Sequence, residues 1–278
     1  PSRLLDMGST DYPHLRITDE GIGTAQYATL SHCWGNHMPL KLLTSNIEAM
    51  KMEVDAEGLA PNFRDAVTVC RHLDLRYLWV DSLCIVQDSA EDWLHESSRM
   101  HSVYSNAVLN ICATAEDPNG LFTQREHSHV STGPIPLHWS PLNRRAWVLQ
   151  ERLLSQRNLH FGKKQLFWEC QQHTACELTP EEFVGGGLPP DRLLDSFAIW
   201  NMVVSTYSSC GLTFETDKLI AVSALARHCQ TQLGLEGDYL AGLWSKYLGN
   251  QLLWETHPYL HGKRQKTYRA PTWSWASM

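Results

Sequence analysis

Three short apolar runs in the first half of the chain have the length and composition of β-strands. They span Tyr27–His32, Tyr77–Val80 and Val108–Ala113. Between the first two, apolar residues recur at helical spacing from 63 to 74, with Asn62 as the expected N-cap. Before the third, Ser89-x-x-Asp92 forms a capping box that opens another helix. This order predicts a mainly parallel sheet flanked by helices.

Polar residues end the first two predicted strands. Ser31 and His32 follow the first apolar run, and Asp81 and Ser82 follow the second. Ligands of parallel α/β sheets bind beyond the carboxyl ends of the strands, so we expect these four residues at one site. Asp81 would hydrogen-bond a ligand or hold loop amides, and capping of the following turn is an equally good interpretation. Ser31 and His32 do not form a nucleophile and base, because strand neighbours point to opposite faces.

A helix from 145 to 154 follows a His-, Ser- and Pro-rich loop at 114–143. Trp147, Glu151 and Leu154 share one face of this helix, which points Glu151 in the same direction as a core-facing Trp147. Residues 159–161 and 166–168 flank Gly162 and predict a β-hairpin.

The last hundred residues are predicted to be mostly helical. A Gly- and Pro-rich stretch at 177–192 is the expected boundary, and apolar faces predict helices at 193–204, 217–233 and 240–248. We therefore expect an α/β core over 1–176 and a helical C-terminal extension over 177–278 packed on it.

Composition excludes several classes of protein. Of 278 residues, 43% are hydrophobic and 19% charged, which is typical of a folded domain, and the net charge of -7 excludes the basic footprint of a nucleic-acid binder. No apolar run is long enough to span a membrane and no signal peptide precedes the first strand, so we expect a cytoplasmic protein, cut as a module from a longer one.

The eight cysteines are scattered and predict reduced thiols. Cys170-x-x-His173-x-x-Cys176 is the one cluster that suggests a metal, but a structural zinc needs four ligands and no second pair has suitable spacing. We expect no metal.

Three segments together resemble the fungal heterokaryon incompatibility (HET) domain. They are Tyr27-Ala-Thr-Leu-Ser-His-Cys-Trp-Gly35, Leu78-Trp-Val-Asp-Ser-Leu-Cys-Ile-Val-Gln87 and Trp147-Val-Leu-Gln-Glu-Arg-Leu-Leu-Ser155. The resemblance implies a role in programmed cell death when genetically different fungal cells fuse. It also implies self-association and a nucleotide-binding receptor module in the same or a partner chain.

The HET core in turn resembles the TIR domain, a flavodoxin-like fold. Some TIR domains hydrolyse NAD⁺ with a helical glutamate that follows a Trp, and Glu151 four residues after Trp147 is similar to that arrangement. The resemblance implies that Glu151 is catalytic. The implied substrate-binding residues are Ser31, His32, Trp34, Gly35, Asp81, Ser82, Gln87, Trp147 and Gln150. The long insertion at 114–143 departs from the TIR pattern.

Each of these residues also has a structural interpretation. Glu151 would pair with Arg152 or Arg145, and Trp34 and Gly35 would be a core Trp beside a turn. Gln87 and Gln150 would satisfy buried backbone groups. Because no GxGxxG or P-loop motif is present, NAD⁺ would be a substrate and not a hydride-carrying cofactor. The alternative function is a non-catalytic module that signals cell death by oligomerisation.

Overall fold

The computed structural model describes residues 1–9, 13–34, 40–115, 117–123, 140–181, 195–256, 264 and 267–278. Close contacts divide the chain into a first unit, residues 1–143 with 151–187, and a second unit, residues 144–150 with 188–278. The predicted division at residue 176 stays a prediction. Of the predicted Gly- and Pro-rich boundary at 177–192, residues 182–192 lie outside the described residues, as do the first two residues of the helix expected at 193–204.

In the described part of the first unit, eight strands form one mixed sheet. The strands are β1 (Leu4–Gly8), β2 (Pro13–Thr18), β3 (Tyr27–Ser31), β4 (Tyr77–Trp79), β5 (Leu109–Cys112), β6 (Arg157–Phe161), β7 (Leu166–Cys170) and β8 (Thr174–Cys176). Their spatial order is β2-β1-β4-β3-β5-β6-β7-β8. The predicted α/β fold with its hairpin, β6 to β7, is confirmed. Strands β1, β2 and β8 were not predicted.

The four central strands, β4-β3-β5-β6, are parallel to one another. Numbered along the chain, these four strands lie in the order 2-1-3-4, which is the order of a flavodoxin-like sheet. The chain passes from β3 to β4 on one side and then returns to β5 on the other side of β3. At such a reversal of strand order, the carboxyl ends of the two strands, here β3 and β5, border a crevice where ligands bind.

Five helices accompany this sheet in the described residues. They are α1 (Ile47–Met52), α2 (Pro61–His72), α3 (Asp81–Cys84), α4 (Ala90–Ser105) and α5 (Ala146–Leu154). Ser89 caps α4 by accepting a hydrogen bond from the Asp92 amide at 3.2 Å, as the capping box predicts. The expected N-cap at Asn62 is wrong. Helix α2 starts two residues earlier, with Ala60 as N-cap and Pro61 at the first position, where a missing N–H costs nothing.

The two faces of the sheet differ in chemistry. Ala28, Leu30 and Ile111 belong to a large apolar cluster that includes Phe63 and Val67 of α2. Side chains of the opposite parity on β3, β5, β6 and β7 form what we call the polar face. It comprises Thr29, Ser31, Asn110, Asn158, His160 and Glu169, none of them more than 6% exposed. Burial of so many polar groups requires a partner for each of them.

The second unit is mostly helical, as predicted. Its elements are α6 (Ser196–Ser208), α7 (Ile220–Thr231), β9 (Tyr239–Leu240), β10 (Leu243–Trp244), α8 (Leu248–Gln251) and 3-10 turns at Glu215–Lys218, Ser245–Tyr247 and Trp275–Ser277. The expected helix at 240–248 is wrong. Ala241 and Gly242 have φ values of 46° and 97°, and they turn the chain into a β9–β10 hairpin. Among the described residues, no helix is both long and apolar enough to cross a bilayer.

Replacement of Gly242 by alanine is expected to destabilise the second unit. A Cβ at this position would lie 2.7 Å from the Trp275 Nε1 atom, and the positive φ is unfavourable for any other residue. We expect a loss of about 2–4 kcal/mol in the free energy of unfolding, measured by urea denaturation. Gly249→Ala is the control, because a Cβ there meets no atom within 4 Å. Equal stability of the two variants would contradict the assigned turn.

Candidate functional site

The candidate site begins at the carboxyl end of β3. Ser31 lies there with its Oγ 2.5 Å from Glu151 Oε2 and 3.1 Å from Asn110 Oδ1. A serine hydroxyl carries one hydrogen, so it donates to one of these oxygens at a time. Glu151 projects from α5 and is 8% exposed, so it is neither in bulk solvent nor sealed in the core.

Tyr104 of α4 brings a second hydroxyl to the same carboxylate. Its side chain is 1% exposed and interacts with both Glu151 and Ser31. Burial raises the pKa of Tyr104 well above its usual value, and the negative charges of Glu151 and Asp81 act in the same direction. Tyr104 therefore remains a protonated donor beside Glu151 at every physiological pH.

Asn110 links this group to the rest of the polar face. Its Oδ1 accepts from Thr29 Oγ1 at 2.9 Å, and its Nδ2 donates to Asn158 Oδ1 at 3.0 Å. Asn158 Nδ2 donates in turn to the Arg152 carbonyl, also at 3.0 Å. Because Arg152 follows Glu151 in α5, the hydrogen bonds form a circuit from the helix through three strands and back.

Sequence reasoning missed both Tyr104 and Asn110 as site residues. The signal for Asn110 was a carboxamide in the middle of the apolar run at 108–113, where every neighbour predicts burial. The signal for Tyr104 was a hydroxyl on the helical face shared with Met100, which predicts a buried group that needs a partner.

A buried ion pair completes the polar face. Arg152 donates to both carboxylate oxygens of Glu169, with its Nε 2.6 Å from Oε2. Glu169 Oε2 also lies 2.9 Å from His160 Nε2, and His160 Nδ1 lies 3.2 Å from the Thr114 hydroxyl. Arg152, which the sequence offers as an ion-pair partner for Glu151, thus binds Glu169.

These contacts decide the charge state of the cluster. Burial acts to raise the pKa of Glu169, but Arg152 and His160 outweigh it and lower that pKa from 4.5 to about 2. Burial lowers the pKa of His160, with Glu169 opposing the change. Glu169 is therefore ionised at neutral pH while His160 is neutral, and the charge of Arg152 is balanced.

Asp81 is the centre of a second polar group beside the first. Its Oδ2 accepts from the Trp34 indole Nε1 at 2.7 Å, and its Oδ1 accepts from the Ser82 amide at 2.7 Å. His32 Nε2 lies 3.8 Å from Asp81 Oδ1. Trp34 is 38% exposed, and the ammonium group of Lys41 is 5.6 Å from the centre of its ring. An accessible aromatic ring is thus fixed next to a carboxylate.

The structure places the other predicted site residues as follows. Ser82 is fully buried, and Gln87 Nε2 donates to the carbonyls of Asp81 and Ile85, at 3.0 and 2.9 Å. Trp147, half-buried, and Gln150, buried, lie in the part of α5 that belongs to the second unit. Gly35 lies outside the described residues. The roles of these residues in binding stay predictions.

No group of three or more metal-ligating side chains occurs among the described residues. In the Cys-x-x-His-x-x-Cys segment, the Cys170 thiol contacts the His173 carbonyl at 3.4 Å and the Cys176 thiol contacts the Thr179 hydroxyl at 3.1 Å.

Residues 27–136 match the family model described as Heterokaryon incompatibility protein (HET). Over this segment the chain is similar to HET domains. The matched segment contains β3, β4 and β5, together with Ser31, Asp81 and Tyr104. No curated protein and no solved structure matches the chain. The HET match supports a role in heterokaryon incompatibility.

Glu169→Gln is expected to destabilise the first unit in a pH-dependent way. At pH 7 the change leaves Arg152 buried beside a neutral amide, and we expect a loss of about 3–5 kcal/mol in the free energy of unfolding. The folded pKa of about 2 lies below the ordinary 4.5, so the carboxylate stabilises the wild type above pH 4.5 and less as the pH falls toward 2. The difference between wild type and variant should therefore shrink in acid.

Urea denaturation at pH 7, 4.5 and 3 measures this effect. The matched control is Glu57→Gln, which makes the same chemical change at an exposed position of the first unit and should cost less than about 0.5 kcal/mol. A difference that stays constant from pH 7 to pH 3 would exclude the ion pair as its origin.

Proposed function

We propose that this protein hydrolyses NAD⁺ at the bond between nicotinamide and ribose. The observation that carries the proposal is the contact between Ser31 and Glu151 at the carboxyl end of β3. A carboxylate at this crevice, together with the accessible Trp34 after β3 and Asp81 after β4, supplies the negative charge and the aromatic surface that suit a cationic aromatic substrate. The resemblance of the Trp147–Glu151 spacing to TIR domains supports the same conclusion.

The reaction needs one well-placed negative charge. As the bond from ribose C1′ to nicotinamide breaks, its electron pair moves to the ring nitrogen and neutralises the leaving group. Positive charge develops on the ribose, and water adds to C1′ and releases a proton, which yields nicotinamide and ADP-ribose. A carboxylate near the ribose stabilises this oxocarbenium-like state more than the ground state. Glu151 is assigned that role.

Neighbouring groups orient the carboxylate and the substrate in this proposal. The hydroxyls of Ser31 and Tyr104 fix the Glu151 side chain, which preorganises its charge before the substrate arrives. Asp81 accepts a ribose hydroxyl, and the Trp34 ring stacks on a base of the dinucleotide. His32, Ser82 and Gln87 hold the loop and the start of α3.

The wider role in this proposal is programmed cell death through depletion of NAD⁺. Self-association in the cytoplasm, controlled by a nucleotide-binding receptor module in the same or a partner chain, is the proposed trigger. The competing function is a module that signals by assembly alone, in which the polar face serves only to hold α5 on the sheet. The circuit through Asn110 and Asn158 favours that function, because it satisfies the buried groups without any ligand.

Glu151→Gln is expected to reduce nicotinamide release by roughly 10²–10³-fold. The amide keeps the size of the side chain and an acceptor for Ser31, but it lacks the charge that stabilises the developing cation. Initial rates are measured on purified protein at high concentration with NAD⁺, with free nicotinamide quantified by chromatography.

Thr29→Val is the control for damage to the polar face. It removes a buried hydroxyl that donates to Asn110, without touching the carboxylate. We expect its rate to stay within about threefold of wild type, since no hydrogen bond to Glu151 is lost. An unchanged rate in Glu151→Gln removes Glu151 from the mechanism. No nicotinamide from the wild type, even in forced oligomers, favours signalling by assembly.

Trp34→Ala is expected to weaken substrate binding more than the chemical step. Base stacking on an aromatic ring is worth about 1–3 kcal/mol, so KM should rise by roughly 5–100-fold while kcat changes little. Trp34→Phe keeps a ring and should recover most of the affinity. A fall in kcat with unchanged KM would show that Trp34 acts on Asp81 and not on the substrate.

A further inference from the structure

The second unit contains a cavity of its own. It has a volume of about 270 Å³ and lies between α6, β10, α8 and the C-terminal turn. A space of this size can hold one planar ring system such as a nucleobase.

Three aromatic residues supply much of the cavity wall. Phe197, Trp254 and Trp275 line it, and none of the residues that line it is charged. The indole N–H groups of the two tryptophans are already used, by the carbonyls of Trp273 and Gly242. Both indole rings can therefore contact a ligand only through their faces and C–H edges. Because the lining is also uncharged, a neutral planar molecule that stacks on these rings is the ligand that suits the cavity.

Gln251 adds a buried hydrogen-bonding group. Its side chain is 8% exposed, and its Oε1 accepts from the Trp244 amide at 2.6 Å. Because only the oxygen of a carboxamide accepts a hydrogen bond, this contact assigns the other atom of the side-chain amide as the donor Nε2. The Nε2 atom has no acceptor within the described residues, although Gln251 lines the cavity. This donor is therefore available to a ligand or to water in the cavity.

Asn201 and Asn250 place two more carboxamides at the same cavity, both on exposed residues. Carboxamides pair with the N6 and N7 edge of adenine, because they offer one donor and one acceptor side by side. Stacking on aromatic rings is the other general means by which proteins hold a base.

We propose that this cavity is a binding site for an adenine-type purine base, with Gln251 Nε2 donating to a ring nitrogen of the base. The aromatic wall stacks on the base, and the exposed carboxamides accept from its exocyclic amine. The site lies within the second unit and does not depend on the NAD⁺ hydrolysis proposed for the first.

Adenosine is the probe, titrated into the full 278-residue chain. We expect quenching of tryptophan fluorescence and a Kd between roughly 10 μM and 1 mM by calorimetry, as suits a small ligand. Inosine, which lacks the exocyclic amine, and cytidine, which has a smaller ring, should each bind at least about fivefold more weakly. Absence of binding up to 5 mM adenosine, at about five times the weakest expected Kd, overturns the proposal. Equal affinity for all three nucleosides also overturns it.

Two variants locate the binding. Gln251→Glu keeps the acceptor for the Trp244 amide and removes the donor, so adenosine affinity should fall at least about tenfold. Val204→Trp fills the cavity from α6 and should abolish binding. Gln232→Glu makes the same change at an exposed position and should leave affinity unchanged.

The same titrations distinguish this site from the candidate site of the first unit. Binding that survives both cavity variants but disappears in Trp34→Ala belongs to the first unit and overturns this proposal. Binding lost in the cavity variants and kept in Trp34→Ala supports it, whether or not the protein releases nicotinamide from NAD⁺.

Discussion

The hydrogen bond between Ser31 and Glu151 is the contact on which the candidate site depends. It joins the carboxyl end of the first parallel strand to a helix that follows 120 residues later in the chain. A carboxylate that is 8% exposed needs nearby donors, since desolvation of an unpaired charge costs several kcal/mol. The hydroxyls of Ser31 and Tyr104 supply them. Without these donors, α5 could not place an acidic side chain against the sheet.

The polar face is tolerated because the opposite face supplies the core. Strands β3 and β5 alternate, so that Ala28, Leu30 and Ile111 pack with α2 while Thr29, Ser31 and Asn110 point away from it. A parallel sheet buried on both sides is usually apolar on both sides. Here one side is apolar and the other carries a network of hydrogen-bonded side chains. Departures from the usual pattern are expected at functional sites, so this polar face supports a functional site at the carboxyl end of β3.

Sequence periodicity predicted the parallel strands, α4 with its cap, and the convergence of Ser31 with Asp81, because each of these depends on local pattern. It missed β1, whose buried Asp6 is paired with Arg76, seventy residues away. It assigned a helix to 240–248, since apolar spacing does not reveal a positive φ at Ala241. Tyr104 and Asn110 were missed for the same physical reason: their partners are brought near only by the tertiary fold.

The position of α5 couples stability to the geometry of the candidate site. Successive residues of a helix point about 100° apart. Glu151 therefore contacts Ser31 of β3, whereas Arg152 contacts Glu169 of β7 at the other side of the polar face. Rotation or translation of the helix would therefore disturb the Ser31 contact and the buried ion pair together. Because the pair with Glu169 is costly to break, it holds α5 in the one orientation that keeps Glu151 at the crevice. A structural ion pair in this arrangement also determines where the candidate catalytic carboxylate lies.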